Sequence, residues 1–465
     1  MEEVVHCLLF LKHTTILTMN FTKQTDGLPI RFLWVFCFCV LWLGVSAQSL
    51  QPEHVVLNWD GSPETSQNVT WRTSSPATDP VAEIALATPV PYDTVGLRTI
   101  VAEVQPVTTL EGEKYTYYTA YIKGLKPNTL YRYRVGSEQN GFSAWYQFTT
   151  AAEPPAPFSF LYVGDIQNDI RSWGTRTVWE AFKKAPNARF MLFAGDCVDH
   201  GHSASEWNEW FGMLGQISAQ MPIVPVTGNH EYDPLHPDDE DESISLFWQP
   251  QFALPKNGPE GMEESVYYID YPGMRLIVLN SLLGISNEGA LKRQTEWLRS
   301  VLENNPQKWT VVSFHHPFFS ARDGSHGDYP ALREYWWPLL EEYKVDLALM
   351  GHDHMYGRSS HQRKNITVPA GYTGPVYVVS IAGPKMYGMK TEKRWMDRAA
   401  VNAQLYQVVT INGDTLEFRT YTVANTLYDS FTLYKTSEGY NRIEEQVISS
   451  NASEHTFPDG RYTYK

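Results

Sequence analysis

Residues 190–199 read FMLFAGDCVD, and residues 345–354 read VDLALMGHDH. Each is a short, mostly apolar run that stops at a glycine and passes at once into groups able to hold a metal. The pattern recurs. Residues 158–163 (FSFLYV) run into Gly164-Asp165-Ile166-Gln167, and residues 223–227 (IVPVT) run into Gly228-Asn229-His230-Glu231. Residues 309–314 (WTVVSF) run into His315-His316-Pro317. Apolar runs of this length predict buried strands. Helix-like stretches at 175–184, 205–216, 291–303 and 331–343 lie among them, so the alternation predicts an α/β domain. In such a sheet the carboxyl ends of the strands line the ligand crevice. A glycine before the polar residue lets the chain turn sharply and brings the side chain close.

Five such ends would bring carboxylates, one amide and several imidazoles into one pocket. Nine of the 14 histidines lie between positions 200 and 354. His352 and His354 alternate, which puts both rings on one face of an extended chain. Carboxylate, amide oxygen and imidazole suit ions such as Fe, Mn, Zn or Mg. Six or seven ligands exceed what one tetrahedral zinc takes, so two ions are implied. A shared carboxylate between two ions is the arrangement used for in-line phosphoryl displacement. Taken singly, a Gly-Asp or Gly-Asn after a strand is ordinarily a turn, and a His-His pair is ordinarily core. The ordered set of five carries the reading.

The rest of the chain frames this domain. Its 465 residues are long enough for two or three domains, and 43% are hydrophobic, an ordinary globular composition. The net charge of -15 argues against a nucleic-acid-binding face. A local metal cluster can still attract an anion against that field. Residues 32–43 (FLWVFCFCVLWL) follow Arg31 and precede Gly44-Val45-Ser46-Ala47, which is the form of a secretory signal over residues 1–47. The run is short of the about 20 residues that span a bilayer, so no stable membrane anchor is expected after cleavage. The expected location is secreted or periplasmic. Cys7, Cys37 and Cys39 would leave with the signal, and Cys197 alone excludes a disulfide scaffold. Its expected role is a small buried hydrophobe pointing away from the metals.

Residues 48–152 alternate apolar and polar residues in short runs broken by Gly, Pro and Asn, as in a β-sandwich. Residues 118–136 (YTAYIKGLKPNTLYRYRVG) resemble a fibronectin type III-like domain. Residues 153–157 (EPPAP) read as a linker, 158–436 as the metal-binding domain, and 437–465 as a polar, irregular surface tail. Strands return at 376–381, 405–411 and 415–423, with Asn412-Gly413 as a hairpin turn. The triplets at Asn68, Asn365 and Asn451 are glycosylation acceptors only in a eukaryote.

The ordered set GD, GDCVD, GNHE, HHP and GHDH resembles the calcineurin-like metallophosphoesterase superfamily. The preceding sandwich resembles the purple acid phosphatase branch. The resemblance spans about residues 51–430 and implies two mixed sheets flanked by helices. It further implies that Asp196 bridges two ions, one held with Asp165 and His354, the other with Asn229, His315 and His352. His230 and His326 would be the catalytic histidines, and Asn229, His230 and His316 would contact substrate. The purple enzymes have a tyrosine three residues after the bridging aspartate, where this chain has Asp199. Other members use the second residue after the first aspartate, here Gln167. Gln167 or Asp199 is therefore a possible further ligand, and divalent Mn, Fe or Zn is expected over ferric iron. The implied activity is hydrolysis of a small phosphomonoester. The alternatives are a phosphodiesterase or nucleotide pyrophosphatase on the same site, and a non-catalytic binding protein with a vestigial site.

Overall fold

From Tyr118 to Ile122 the strand Lys114–Lys123 (KYTYYTAYIK) alternates buried and half-buried side chains, and Tyr118, Ala120 and Ile122 belong to the sandwich core. In this computed structural model the described residues are 51–235, 241–320, 322, 329–359, 372–389, 396–437, 440–446 and 454–456. The signal-like residues 1–47 and His326 lie outside them. Among the described residues no helix is long and apolar enough to cross a membrane.

Lys114–Lys123 lies between Ser66–Thr73 and Glu103–Thr108, with Glu53–Asn58 on the far side of Ser66–Thr73. The facing sheet is built on Val81–Leu86 and Leu130–Ser137. Trp71, Tyr118, Tyr133 and Phe148 fill the space between them. This N-terminal β-rich domain is bonded closely to the remainder of the chain. Leu57 N–H donates to Ser218 O (2.9 Å), Asn58 Nδ2 to Ile223 O (2.8 Å) and Thr70 Oγ1 to Gln251 O (2.6 Å). Asn68 is buried, and its Nδ2 donates to Ala253 O at 3.1 Å.

The second part is an α/β domain of two mixed sheets, each of eight strands among the described residues. In the first sheet Ile223–Pro225, Met191–Phe193 and Phe158–Val163 are parallel neighbours. Leu405–Asn412 closes on the other side of Phe158–Val163 in antiparallel register. In the second sheet Met274–Val278, Trp309–Ser313, Leu347–Met350 and Val376–Val379 run parallel in that order. Apolar side chains of both sheets share one core, including Phe160, Leu192, Val311 and Leu349. The outer face of the second sheet packs on the helix Glu288–Glu303. At the carboxyl ends the sheets touch through a bridge between Asp165 and Ile381.

Two expectations are corrected. The helix expected over 331–343 is two short helices, Pro330–Tyr335 and Trp337–Glu342. Pro338 cannot donate a backbone hydrogen bond and its ring crowds the turn before it, so the helix breaks at Trp336. The tail expected to be irregular contains the strand Asn441–Glu445, paired with Leu427–Lys435. Its polar residues answer buried charges: Glu445 accepts from Arg358 at 2.9 Å, and Asn441 donates to Asp346 at 2.6 Å. Hydropathy counts such residues as surface.

Candidate metal centre

Parallel strands deliver their following loops to the same end. The strands Phe158–Val163, Met191–Phe193 and Ile223–Pro225 lead to Asp165, Asp196 and Asn229. Trp309–Ser313 and Leu347–Met350 lead to His315, His352 and His354 from the other sheet. The glycines before them work mainly by having no side chain. A Cβ on Gly228 would overlap Asp196 Oδ1, and one on Gly351 would overlap Asp165 Oδ1. Of the four, only Gly195 turns at positive φ, at 93°. The unusual backbone falls instead on the polar residues: Asp196 at φ 50°, His352 at 72° and His354 at 46°. Such conformations in non-glycine residues concentrate at functional sites.

Two groups of side chains meet there. Asp165, Asp196 and His354 form one, and Asp196, His315 and His352 the other, each with its ligand atoms within 4.8 Å of one another. Asp196 belongs to both. Its Oδ2 lies 3.0 Å from His315 Nε2, and Asp165 Oδ2 lies 3.1 Å from His354 Nε2. Asn229 Oδ1 lies 3.1 Å from His352 Nδ1, so the amide joins the second group. Asp165, Asp196, His315 and His354 are all buried. Burial alone would disfavour the charge on Asp196, yet His315, His230 and His352 hold its carboxyl well below the usual range. Burial likewise opposes charge on His315, but Asp196 and Asp165 outweigh it and favour a positive charge at that ring.

The residues fit cations. Buried carboxylates need positive partners. The Nε2 atom of His315 is buried without a well-formed hydrogen bond, as is Gln167 Oε1. His315 Nδ1 is tied to Ala194 O at 2.8 Å and His354 Nδ1 to Lys385 O at 3.0 Å. That outer bond leaves each Nε2 lone pair facing the pocket, as metal-ligating histidines require.

The other expected residues are placed as follows. His230 bonds Asp199 O through Nδ1 at 2.7 Å, and its Nε2 lies 3.2 Å from Gln167 Nε2. Gln167 Nε2 also reaches Asp199 Oδ1 at 3.3 Å. His316 is buried, with Nδ1 2.9 Å from Ser281 Oγ; burial and the neighbouring His315 push its pKa down. Cys197 is fully buried in the core. His202 is buried with Nε2 3.1 Å from Asp233 O, while His200 is exposed beside Glu206.

Two residues escaped the sequence reading. Glu231 accepts backbone N–H bonds from Asp196 (2.9 Å), Cys197 (2.7 Å) and Gly228 (2.6 Å), so one buried carboxylate binds two of the site loops together. Its only signal was its place beside His230. Tyr329 reaches His352, and no motif marked it.

Residues 158–356 match the calcineurin-like phosphoesterase family, and residues 52–150 match the purple acid phosphatase N-terminal domain. The chain thus carries a calcineurin-like phosphoesterase domain behind a purple acid phosphatase N-terminal domain. Its relatives among such phosphatases include purple acid phosphatase 1 of Ipomoea batatas, 26% identical over 65% of this chain and 68% of that one. The Fe(3+)-Zn(2+) purple acid phosphatase 12 of Arabidopsis thaliana is 25% identical over 53% of this chain and 54% of that one. The chain therefore spans between about half and two thirds of the length of these relatives. A purple acid phosphatase isolated from yellow lupin (Lupinus luteus) seeds has a similar fold, with a TM-score of 0.70 at 18% identity, over 84% of this chain and 76% of that one.

Proposed function

We propose that this phosphoesterase is a secreted, two-metal hydrolase of phosphomonoesters. The observation that carries the reading is the pair of ligand groups sharing Asp196. Asp165, Asp196 and His354 would hold one cation, and Asp196, Asn229, His315 and His352 the other. Two cations there supply Lewis acidity and positive charge for a phosphate group. The chain's own residues do the rest. The Asp199 carbonyl takes the Nδ1–H of His230 and so turns Nε2 toward the pocket. In its doubly protonated form His230 would pass the Nε2 proton to the departing oxygen and be left neutral, with Nδ1–H still on the Asp199 carbonyl. Asp199 stands where purple enzymes carry tyrosine, and it is absent from the tight carboxylate–imidazole groups among the described residues. Oxygen and nitrogen ligands without a phenolate favour divalent Mn, Fe or Zn. The protein should therefore lack the tyrosinate–iron absorption band. Secretion rests on residues 32–47 and is checked by the N-terminus of the exported protein.

The test compares wild type with Asp196→Asn on p-nitrophenyl phosphate and on bis(p-nitrophenyl) phosphate. Metal-dependent monoester hydrolysis should fall by at least about 1000-fold in the variant, because both groups lose their common member. A wild type inert toward the monoester sinks the reading. Faster turnover of the diester would move it to the phosphodiesterase class.

A further inference from the structure

Three imidazoles converge on the carboxylates, and each has a second ring nitrogen turned to another partner. For His315 and His354 that partner is a backbone carbonyl, which only accepts. For His352 it is a side chain: Tyr329 Oη lies 2.6 Å from Nε2, while Nδ1 lies 3.1 Å from Asn229 Oδ1. We propose that Tyr329 is a positioning residue that accepts the Nε2–H of His352 and leaves Nδ1 bare toward the cation shared with Asn229 and His315. This rests on the two-metal reading above.

Several features make the contact specific. His352 holds a left-handed backbone, and its own N–H is taken by Asp165 at 2.8 Å. The main chain is thereby fixed, and the ring's remaining freedom is rotation about its side-chain bonds. The Tyr329 hydroxyl sets that rotation. The Tyr329 ring stands edge-on to His316 at 4.8 Å, and His316 lies 4.4 Å from His352. Pro330 follows Tyr329 and opens the short helix Pro330–Tyr335, which anchors the tyrosine backbone. A hydroxyl differs from a carbonyl in one further way. It can donate as well as accept, so it permits either ring tautomer until a cation takes Nδ1. Outer partners of metal-ligating histidines carry about 10–100-fold in metal affinity.

The test loads full-length wild type, Tyr329→Phe and Tyr329→His with zinc and dialyses them against graded EDTA. Zinc per chain is then measured by mass spectrometry. Phenylalanine keeps the ring and removes the acceptor. Y329F should release one of two ions at about 10–100-fold lower chelator and keep the other as wild type does. Y329H, whose ring nitrogen can accept, should stay nearer to wild type. The metal-free proteins should melt together. Two ions held equally by wild type and Y329F overturn the role of Tyr329 alone, as does equal loss of both ions with a lowered metal-free melting temperature. A wild type that binds no zinc overturns the two-metal reading itself.

Discussion

A methyl group on Gly228 has no room, because Asp196 Oδ1 and the Asp196 backbone nitrogen already fill the space it would take. Gly228→Ala must therefore push aside the carboxylate common to both ligand groups. A shift near 1 Å at such a site costs about 100-fold in rate. Turnover of a phosphomonoester by G228A should fall by that order while the protein stays folded, as activity beside a circular dichroism melt would show. Wild-type turnover in G228A would mean that the loop yields. At this scale the sequence was informative about which residues gather and about why the glycines are there. Of the two expected reasons, the positive-φ turn is seen at Gly195 and the close approach at Gly228 and Gly351. Glu231 was unreadable. A carboxylate that binds main-chain N–H groups has no pairing signature in the side-chain pattern, since its partners are backbone.

At the scale of elements, the hairpin between Leu405–Asn412 and Thr415–Thr422 turns through Gly413 and Asp414, one residue later than the Asn-Gly dipeptide suggests. Gly413 takes φ 59° with open space around it. This is the glycine-first form of a two-residue hairpin turn. Gly413→Ala introduces strain without a clash, so it should cost about 1–2 kcal/mol by urea unfolding and leave turnover unchanged. Loss of activity in G413A would contradict the separation of this turn from the site. Strands with an apolar run and a glycine stop were legible almost to the residue, as with Phe158–Val163. The split at Trp336 was not, because apolar spacing continues through Pro338 while the hydrogen-bond ladder does not. Asn441–Glu445 was hidden because the residues that tie it to the body are polar.

Across the whole molecule, the sandwich and the phosphoesterase sheets share apolar surface: Trp59 lies 5.9 Å from Phe190, and Val56 and Tyr117 belong to the larger core. The bonds from Leu57, Asn58 and Thr70 cross the same boundary. Residues Ser49–Lys465 form one unit, and calorimetry should record a single unfolding transition rather than one for each part. Glu264 reports on this region through pH. Burial is the main reason that its carboxyl is pushed up from 4.5 to about 7, with Glu263 and Asp60 adding to it against the pull of Lys256. The folded state thus holds the proton more tightly than the unfolded chain. The penalty is absent below the ordinary carboxylate range and grows as pH rises through about 7. Glu264→Gln should gain about 1 kcal/mol on wild type between pH 5 and 8, after allowance for solvent screening. Melting curves that keep a constant offset across that range would refute the assignment.

The ligands come from two sheets, and the first sheet is completed late. Phe158–Val163 lies between Met191–Phe193 and Leu405–Asn412, so its second neighbour comes far along the chain. A nascent chain emerging from the ribosome as far as residue 356 already carries all six candidate ligands. It still lacks the strand that backs the one leading to Asp165. The second sheet's run from Met274–Val278 to Leu347–Met350 can pair by then, and its histidines wait on an incomplete opposite wall. Contacts so distant in sequence form slowly. Closure of the first sheet beside the strand leading to Asp165 therefore waits on Leu405–Asn412, and a chain cut short before residue 405 would carry the six side chains without the strand that backs Phe158–Val163.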